Sequence, residues 1–195
     1  MILNGVPRAG KTSIARAMQA GEPGSWVDLG VDASRRDTPA PAQPGIGLRP
    51  GGERPDLEEQ VVGLYAALFD AVAAAAQRGD DVVVDLGLHD AYSQPRHVRR
   101  DGAARLAGLP VLFVGVRCPL DVIWQRRAQT WGQDRDTAEP GLTQAVQRWQ
   151  DEVHTGHAYD LEVDTSQRTP EQCAALVLAR VHEGTPGTGF WRGTD

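Results

Sequence analysis

The segment Gly5-Val6-Pro7-Arg8-Ala9-Gly10-Lys11-Thr12 restricts the fold of this chain more than any other. Two glycines frame four residues, and Lys and Thr follow the second. The flanks matter as much as the pattern. Residues 1–4 read as a very short apolar strand, and a helical pattern runs on through about Gln19, ending near Gly21. A strand that enters such a loop and leaves it as a helix is the context in which the pattern cradles phosphate. Gly5 and Gly10 let the backbone approach phosphate oxygens closely. Successive N–H groups and the helix N-terminus then point at the anion. Pro7, Arg8, Ala9 and Ser13 complete the candidate cradle. Lys11 is expected to reach the β- and γ-phosphates, and the Thr12 hydroxyl to coordinate Mg²⁺. Lys11 is also the one lysine in an arginine-rich chain. Its retention suggests that a compact point charge is needed where the broad fork of arginine would not serve.

Strand and helix patterns alternate to the end of the chain. Trp26 to Val31 reads as a second strand, ending at Asp32. Residues 35–55 are rich in Pro and Gly and read as a long surface loop of the kind that is often functional. Asp56 with Glu59 marks a helix start, and the helix should run to about Arg78 and stop at Gly79. Val82 to Leu86 is a continuous apolar strand, as expected when both faces are covered. A helix over 96–107, a strand over Val111–Val116 and a helix from Leu120 to about Thr130 follow. The polar stretch Trp131 to Gly141 reads as loop, Leu142 to about Thr155 as helix and Leu161 to Asp164 as the last strand. Thr169-Pro170-Glu171-Gln172 supplies a cap, a first-turn proline and a capping-box partner for a helix through about His182. This order predicts one α/β domain over 1–183, a parallel sheet with helices on both faces. Residues 184–195 read as a frayed, flexible tail.

A phosphoryl transferase needs a group to receive the acceptor hydroxyl's proton. Asp32, at the carboxyl end of the second strand, is the candidate base and substrate contact; a turn aspartate is the plainer reading. Asp85 ends the Val82–Val84 run, where an acid can hold a Mg²⁺-bound water or contact substrate; it could also simply cap the next segment. His89 and Tyr92 follow directly and are candidates to face the acceptor, with solvated loop residues the alternative. Arg126, Arg127 and Arg135 flank the polar stretch and suit a lid, over about 126–148, that neutralises transferring charge and excludes water. Arg126 and Arg135 are assigned to that catalytic charge and Arg127 to the nucleotide, beside the alternative of surface arginines. Thr165, between the last strand and the final helix, could border the adenine or serve a simple turn.

Several segments together resemble the chloramphenicol phosphotransferase-like proteins, small P-loop kinases related in fold to shikimate and adenylate kinases. They are Ile2-Leu3-Asn4-Gly5 leading into Ala9-Gly10-Lys11, then Gly30-Val31-Asp32, Gly115-Val116-Arg117-Cys118, and Tyr159 to Thr165 with His154 upstream. The resemblance implies a P-loop NTPase fold with a five-stranded parallel sheet, dependence on ATP and Mg²⁺, and phosphorylation of an alcohol on an antibiotic or similar natural product. It implies that the aspartate at Asp32 is the base and that an arginine at Arg126 lies at the lid. The lid departs from the family: one expected arginine is displaced or missing within Ala128 to Arg135. The 35–55 loop, with Arg35, Arg36 and Arg49, is also distinctive, so the acceptor need not be chloramphenicol and could be a nucleoside antibiotic.

The expectation is thus an ATP-dependent O-phosphotransferase. A nucleotide or small-metabolite kinase is the second reading, and a nucleotide-dependent switch the third. A guanine-reading Asn-Lys-x-Asp motif would favour the switch and is absent from the sequence. The net charge of −6 argues against broad nucleic-acid binding. Apolar runs long enough to span a membrane and a basic, apolar leader are not seen, so a cytoplasmic protein is expected, with no membrane partner. Cys118 and Cys173 lack metal-ligand spacing and read as buried thiols. A homo-oligomer is compatible with all of this.

Overall fold

Parallel strands covered on both faces are buried on both faces, and the three central strands of this chain are buried along nearly their whole length. A computed structural model describes residues 1–22, 26–30 and 55–193. Its elements are β1 (Ile2–Asn4), α1 (Lys11–Gly21), β2 (Trp26–Asp28), α2 (Glu58–Gln77), β3 (Asp81–Leu86) and α3 (Val98–Arg105), then β4 (Phe113–Arg117), α4 (Leu120–Trp131), α5 (Pro140–Glu152), β5 (Leu161–Asp164) and α6 (Pro170–His182). The five strands form one sheet in the order β2-β3-β1-β4-β5, and every pairing is parallel. The expected fold class is therefore the observed one.

Alternation along the strands builds two cores. Leu3, Val83, Val114, Val116 and Val163 face one side, where they meet Ile14 and Met18 of α1, Ile123 of α4 and Val177 of α6. Ile2, Val82, Val84, Leu86 and Phe113 face the other, against Leu68, Phe69 and Val72 of α2 and Val98 of α3. The chain builds β2 and β3 on one side of β1, then crosses it to build β4 and β5 on the other. Such a reversal opens a crevice at the carboxyl edge, next to the loop that leaves β1.

Most predicted elements lie within a few residues of the observed ones. The strand expected over Trp26–Val31 is assigned only to Asp28. The strand expected from Val111 starts at Phe113, whose N–H is taken by the Asp160 carboxylate at 2.8 Å. The final helix carries the full capping box, with Thr169 and Gln172 each accepting the other's backbone N–H.

Two expectations are corrected. By length and composition α2 is apolar enough to cross a membrane, with a mean hydropathy of 1.3 over its window. Leu68, Phe69, Val72 and Ala75 of this helix are buried in the second core, and 33% of the apolar stretch is buried in all. The tail is the other correction: its described part, 184–193, is anchored rather than frayed. Phe190 is fully buried against Phe69 and Phe113. Asp160 accepts the N–H groups of Thr188 and Gly189 at 2.7 and 2.9 Å. The buried Arg99 guanidinium donates to the carbonyls of Phe190 and Arg192 at 3.2 and 2.6 Å. Phe190→Ala is expected to destabilise the chain by about 3–5 kcal/mol. Urea denaturation checks this, and a loss below about 1 kcal/mol would show that the tail is not part of the core.

Candidate nucleotide and acceptor site

Asp85 reaches the phosphate loop because of strand alternation. Val84 and Leu86 turn toward α2 and Val83 turns toward α1, so Asp85 turns toward α1 as well. There its buried carboxylate accepts the Thr12 hydroxyl at 2.6 Å. Two hard oxygen donors, one anionic, sit together where sequence reading placed a Mg²⁺ site, and they suit that ion.

The loop itself is a closed turn. The Ala9 N–H donates to the Val6 carbonyl at 3.1 Å. Gly10 has φ 98° and starts α1 without a side-chain cap, a conformation that only glycine adopts without strain. With no capping side chain over it, the helix N-terminus remains open to an anion. Lys11 folds back on the loop and donates to the Gly5 and Val6 carbonyls at 2.8 and 2.9 Å. Ser13 is exposed in the first turn of α1.

The carboxyl end of β2 lies beside Asp85. Gly30 packs so closely on that carboxylate that a Cβ would overlap Oδ1. Asp32 and residues 35–54 lie outside the described residues.

The segment after β3 forms an aromatic wall. His89 is buried and stacks on Tyr92 with ring centres 4.4 Å apart. Trp149 of α5 stands edge-on to His89 at 6.4 Å. The Tyr65 hydroxyl, from α2, lies beside the Gly87 N–H and near Asp85, and burial pushes its pKa up to about 12. Burial, then Tyr65, pushes Tyr92 up as well. His89 and Tyr92 are thus brought together, but as packed rings rather than solvated loop residues.

Sequence reasoning missed Tyr65 and Trp149, which come from helices far from the loop in sequence, and gave Asn4 and Glu58 no role. The Asn4 amide donates to the Val153 carbonyl and the Tyr159 hydroxyl, each at 2.9 Å, and its oxygen accepts the Leu88 N–H at 2.7 Å. A polar residue at the end of a three-residue apolar strand was the available signal. Glu58 is buried at the start of α2 and accepts the Ser93 N–H and O–H at 2.8 and 2.6 Å and Arg96 Nε at 3.2 Å. Burial opposes ionisation of Glu58, but these bonds outweigh it and hold the carboxyl below its usual range.

The three arginines expected at a lid separate. Arg126 Nη1 donates to the Arg8 carbonyl at 3.1 Å and the Thr165 hydroxyl at 2.9 Å, and Nη2 to the Thr165 carbonyl at 2.7 Å. Thr165 in turn donates to the Ala9 carbonyl at 2.7 Å. Arg126 and Thr165 therefore border the phosphate loop together. Arg127 is a correction to its expected nucleotide contact. It is fully buried, donates to Gln133 Oε1 at 2.7 Å and lies against Trp124 and Trp131. Helix periodicity turns it away from the face that carries Arg126. Arg135 is exposed on the 132–139 segment and makes no hydrogen bond to the described residues.

Arg8 is unusual within the loop. Its φ of 71° is left-handed, which costs a non-glycine residue about 1–2 kcal/mol. Its guanidinium lies 3.9 Å from the Trp131 ring centre, a stacking worth about 0.5–1 kcal/mol at an accessible site.

A phosphate loop at the crevice of a five-stranded parallel sheet, with an acid from the neighbouring strand on its threonine, defines a small ATP-dependent P-loop kinase acting on a small molecule. The chain belongs to the chloramphenicol phosphotransferase-like protein family, whose model matches residues 1–182. Similar solved structures include the tunicamycin resistance protein of Deinococcus radiodurans, 20% identical with a TM-score of 0.58, covering 92% of this chain and 94% of that one. Shikimate kinase from Acinetobacter baumannii, in complex with shikimate, is 15% identical with a TM-score of 0.54 over 94% and 93%. A gluconokinase from Sinorhizobium meliloti is 18% identical with a TM-score of 0.53 over 94% and 93%. At these identities the structures share the fold. No curated protein sequence matches the chain.

The site carries a pH dependence through His154. Asn4 donates to the Tyr159 oxygen, which leaves the Tyr159 O–H to donate to His154 Nδ1 at 2.7 Å. That bond requires a neutral ring. Burial, aided by Arg117, His157 and Lys11, pushes the His154 pKa down from 6.5 to about 3. The unfolded chain therefore takes up the proton first, and stability falls as pH drops from 6.5 toward 3. Thermal unfolding should show the melting temperature declining through that window, with a shallower decline in His154→Gln. An unchanged slope in the variant would discount the histidine.

Proposed function

We propose that the chain transfers the γ-phosphoryl group of Mg-ATP to a hydroxyl of an antibiotic or related natural product. The observation that carries the reading is the Thr12–Asp85 contact of 2.6 Å directly beside the Lys11 loop, the arrangement a metal-bound triphosphate requires. Thr12 and Asp85 would hold Mg²⁺, which when bound offsets charge on the terminal phosphates. The loop from Gly5 through Ser13 cradles those phosphates, and Lys11 exchanges its two carbonyl contacts for phosphate oxygens. Asp32, four residues beyond the end of β2, takes the proton as the acceptor oxygen bonds to phosphorus, and ADP departs with the broken bond's electron pair. Arg126 and Thr165 border the nucleotide, and Arg135 enters from the 132–139 segment.

The aromatic wall supports an antibiotic over a compact metabolite. His89 and Tyr92 stack on each other, Trp149 stands edge-on to His89, and Tyr65 lies near Asp85; an aromatic lining of this kind suits an acceptor with a planar or apolar portion. The fold shared with a tunicamycin resistance protein is in keeping with that class. ATP use and the two unpaired, buried cysteines fit a cytoplasmic site of action.

Mass spectrometry after incubation with Mg-ATP and a panel of hydroxylated antibiotics tests the reading, and a gain of about 80 Da marks one transferred phosphoryl group. Faster transfer to nucleoside monophosphates or central metabolites would overturn the antibiotic assignment. Lys11→Ala should abolish transfer. Asp32→Asn should lower kcat by about 100-fold or more with ATP affinity nearly unchanged. A kcat equal to wild type would remove Asp32 from the role of base.

A further inference from the structure

A buried charge is normally met by an opposite charge or by several hydrogen bonds. Other buried ions among the described residues follow that rule. Glu58 meets Arg96 at 3.1 Å, and Arg99 donates to the carbonyls of Phe190 and Arg192. Arg127 does not. It is 1% exposed, and its hydrogen bond among the described residues runs from Nη2 to the neutral Gln133 Oε1 at 2.7 Å. Its Nε is buried without a partner, and no carboxylate among the described residues pairs with it. The charged neighbour that acts on it is Arg8, another cation. Stacking against Trp124 and Trp131 offsets only part of the cost of burying such a charge.

Arg127 also stands where the two poles of the site meet. A narrow cavity, with room for little more than one water, is walled by Val6 and Pro7 of the phosphate loop, Trp149 of the aromatic wall and Arg127 itself. We propose that Arg127 binds a carboxylate carried by the acceptor, which takes the place of the Gln133 amide oxygen. The inference rests on the kinase reading and narrows its acceptor to one with an anionic substituent. Gln133 belongs to the 132–139 segment from which Arg135 enters in the proposed reaction, so the same movement frees Arg127 and widens the cavity. One carboxylate neutralises one guanidinium, and its two oxygens satisfy two N–H groups where the amide oxygen satisfies one. A planar group fits the narrow space beside Trp149 better than a tetrahedral phosphate.

Thermal unfolding of the full chain saturated with Mg-ADP tests the site without an identified acceptor. The nucleotide fills the phosphate loop, and sodium acetate is the probe. Acetamide, its neutral isostere, and sodium chloride at equal ionic strength are the controls. Acetate should raise the melting temperature above both by about 2–4 °C, the shift that roughly fivefold excess over Kd produces in a chain of this size. Arg127→Met should remove the response, and Arg127→Lys should keep part of it. In the transfer assay a carboxylic acid acceptor should surpass its methyl ester about tenfold in kcat/KM, a comparison that needs no variant. No acetate response in wild type, the same response in Arg127→Met, or equal transfer to acid and ester would each overturn the proposal and leave the kinase reading intact. Transfer to no acceptor at all would overturn the kinase reading, while an acetate response lost in Arg127→Met would still support the carboxylate site.

Discussion

The buried amide of Asn4 joins segments that the chain keeps far apart. It stands at the last position of β1, immediately before the phosphate loop, and bonds to the loop after β3, the end of α5 and Tyr159. A buried amide tolerates no slack: each unpaired donor or acceptor left behind costs about 1–3 kcal/mol. The carboxyl edge of the sheet is therefore set at one point. The phosphate loop on one side of that point and the aromatic wall on the other cannot drift independently. Position is most of what phosphoryl transfer asks of a protein.

Around that strut, each pole of the site is braced by a different kind of force. On the nucleotide side the braces are hydrogen bonds to carbonyls: Arg126 on Arg8, Thr165 on Ala9, Lys11 on Gly5 and Val6. These bonds occupy main-chain oxygens and spare N–H groups, and N–H groups are what an anion needs. On the side of the aromatic wall the braces are rings packed face and edge, with Glu58 pinning Ser93 and Arg96 at the rim. The anchored tail reaches this wall through Phe69, which packs on both Phe190 and Tyr65. Phe190 packs on Phe113, and Phe113 packs on Tyr159, the residue that Asn4 and His154 share.

Much of the nucleotide half could be read from the sequence, because its signals are local. Gly10, Lys11 and Thr12 act within one turn of backbone, and strand alternation suffices to aim Asp85 at α1. The arginines show where local reading ends. Arg126 and Arg127 are neighbours in sequence, yet one meets Thr165 and the other is buried among Trp124, Trp131 and Gln133. About 100° of helical rotation separates them, and which face looks at the nucleotide depends on how α4 packs. The tail misled for a similar reason. Its Gly and Thr content argues for fraying, while a single phenylalanine finds a place between two aromatic neighbours in the second core.

The sequence alone determined the alternating α/β order, the phosphate loop with its lysine and threonine, and the acid at the end of β3. Each is encoded in contiguous residues whose backbone preferences and periodicities act at short range. Only the tertiary structure decided the strand order, the pairing of Thr12 with Asp85, the aromatic wall and the fates of Arg8, Arg126 and Arg127. Those depend on contacts between residues dozens of positions apart. Such contacts form only when the two cores close on the sheet and bury the side chains between them.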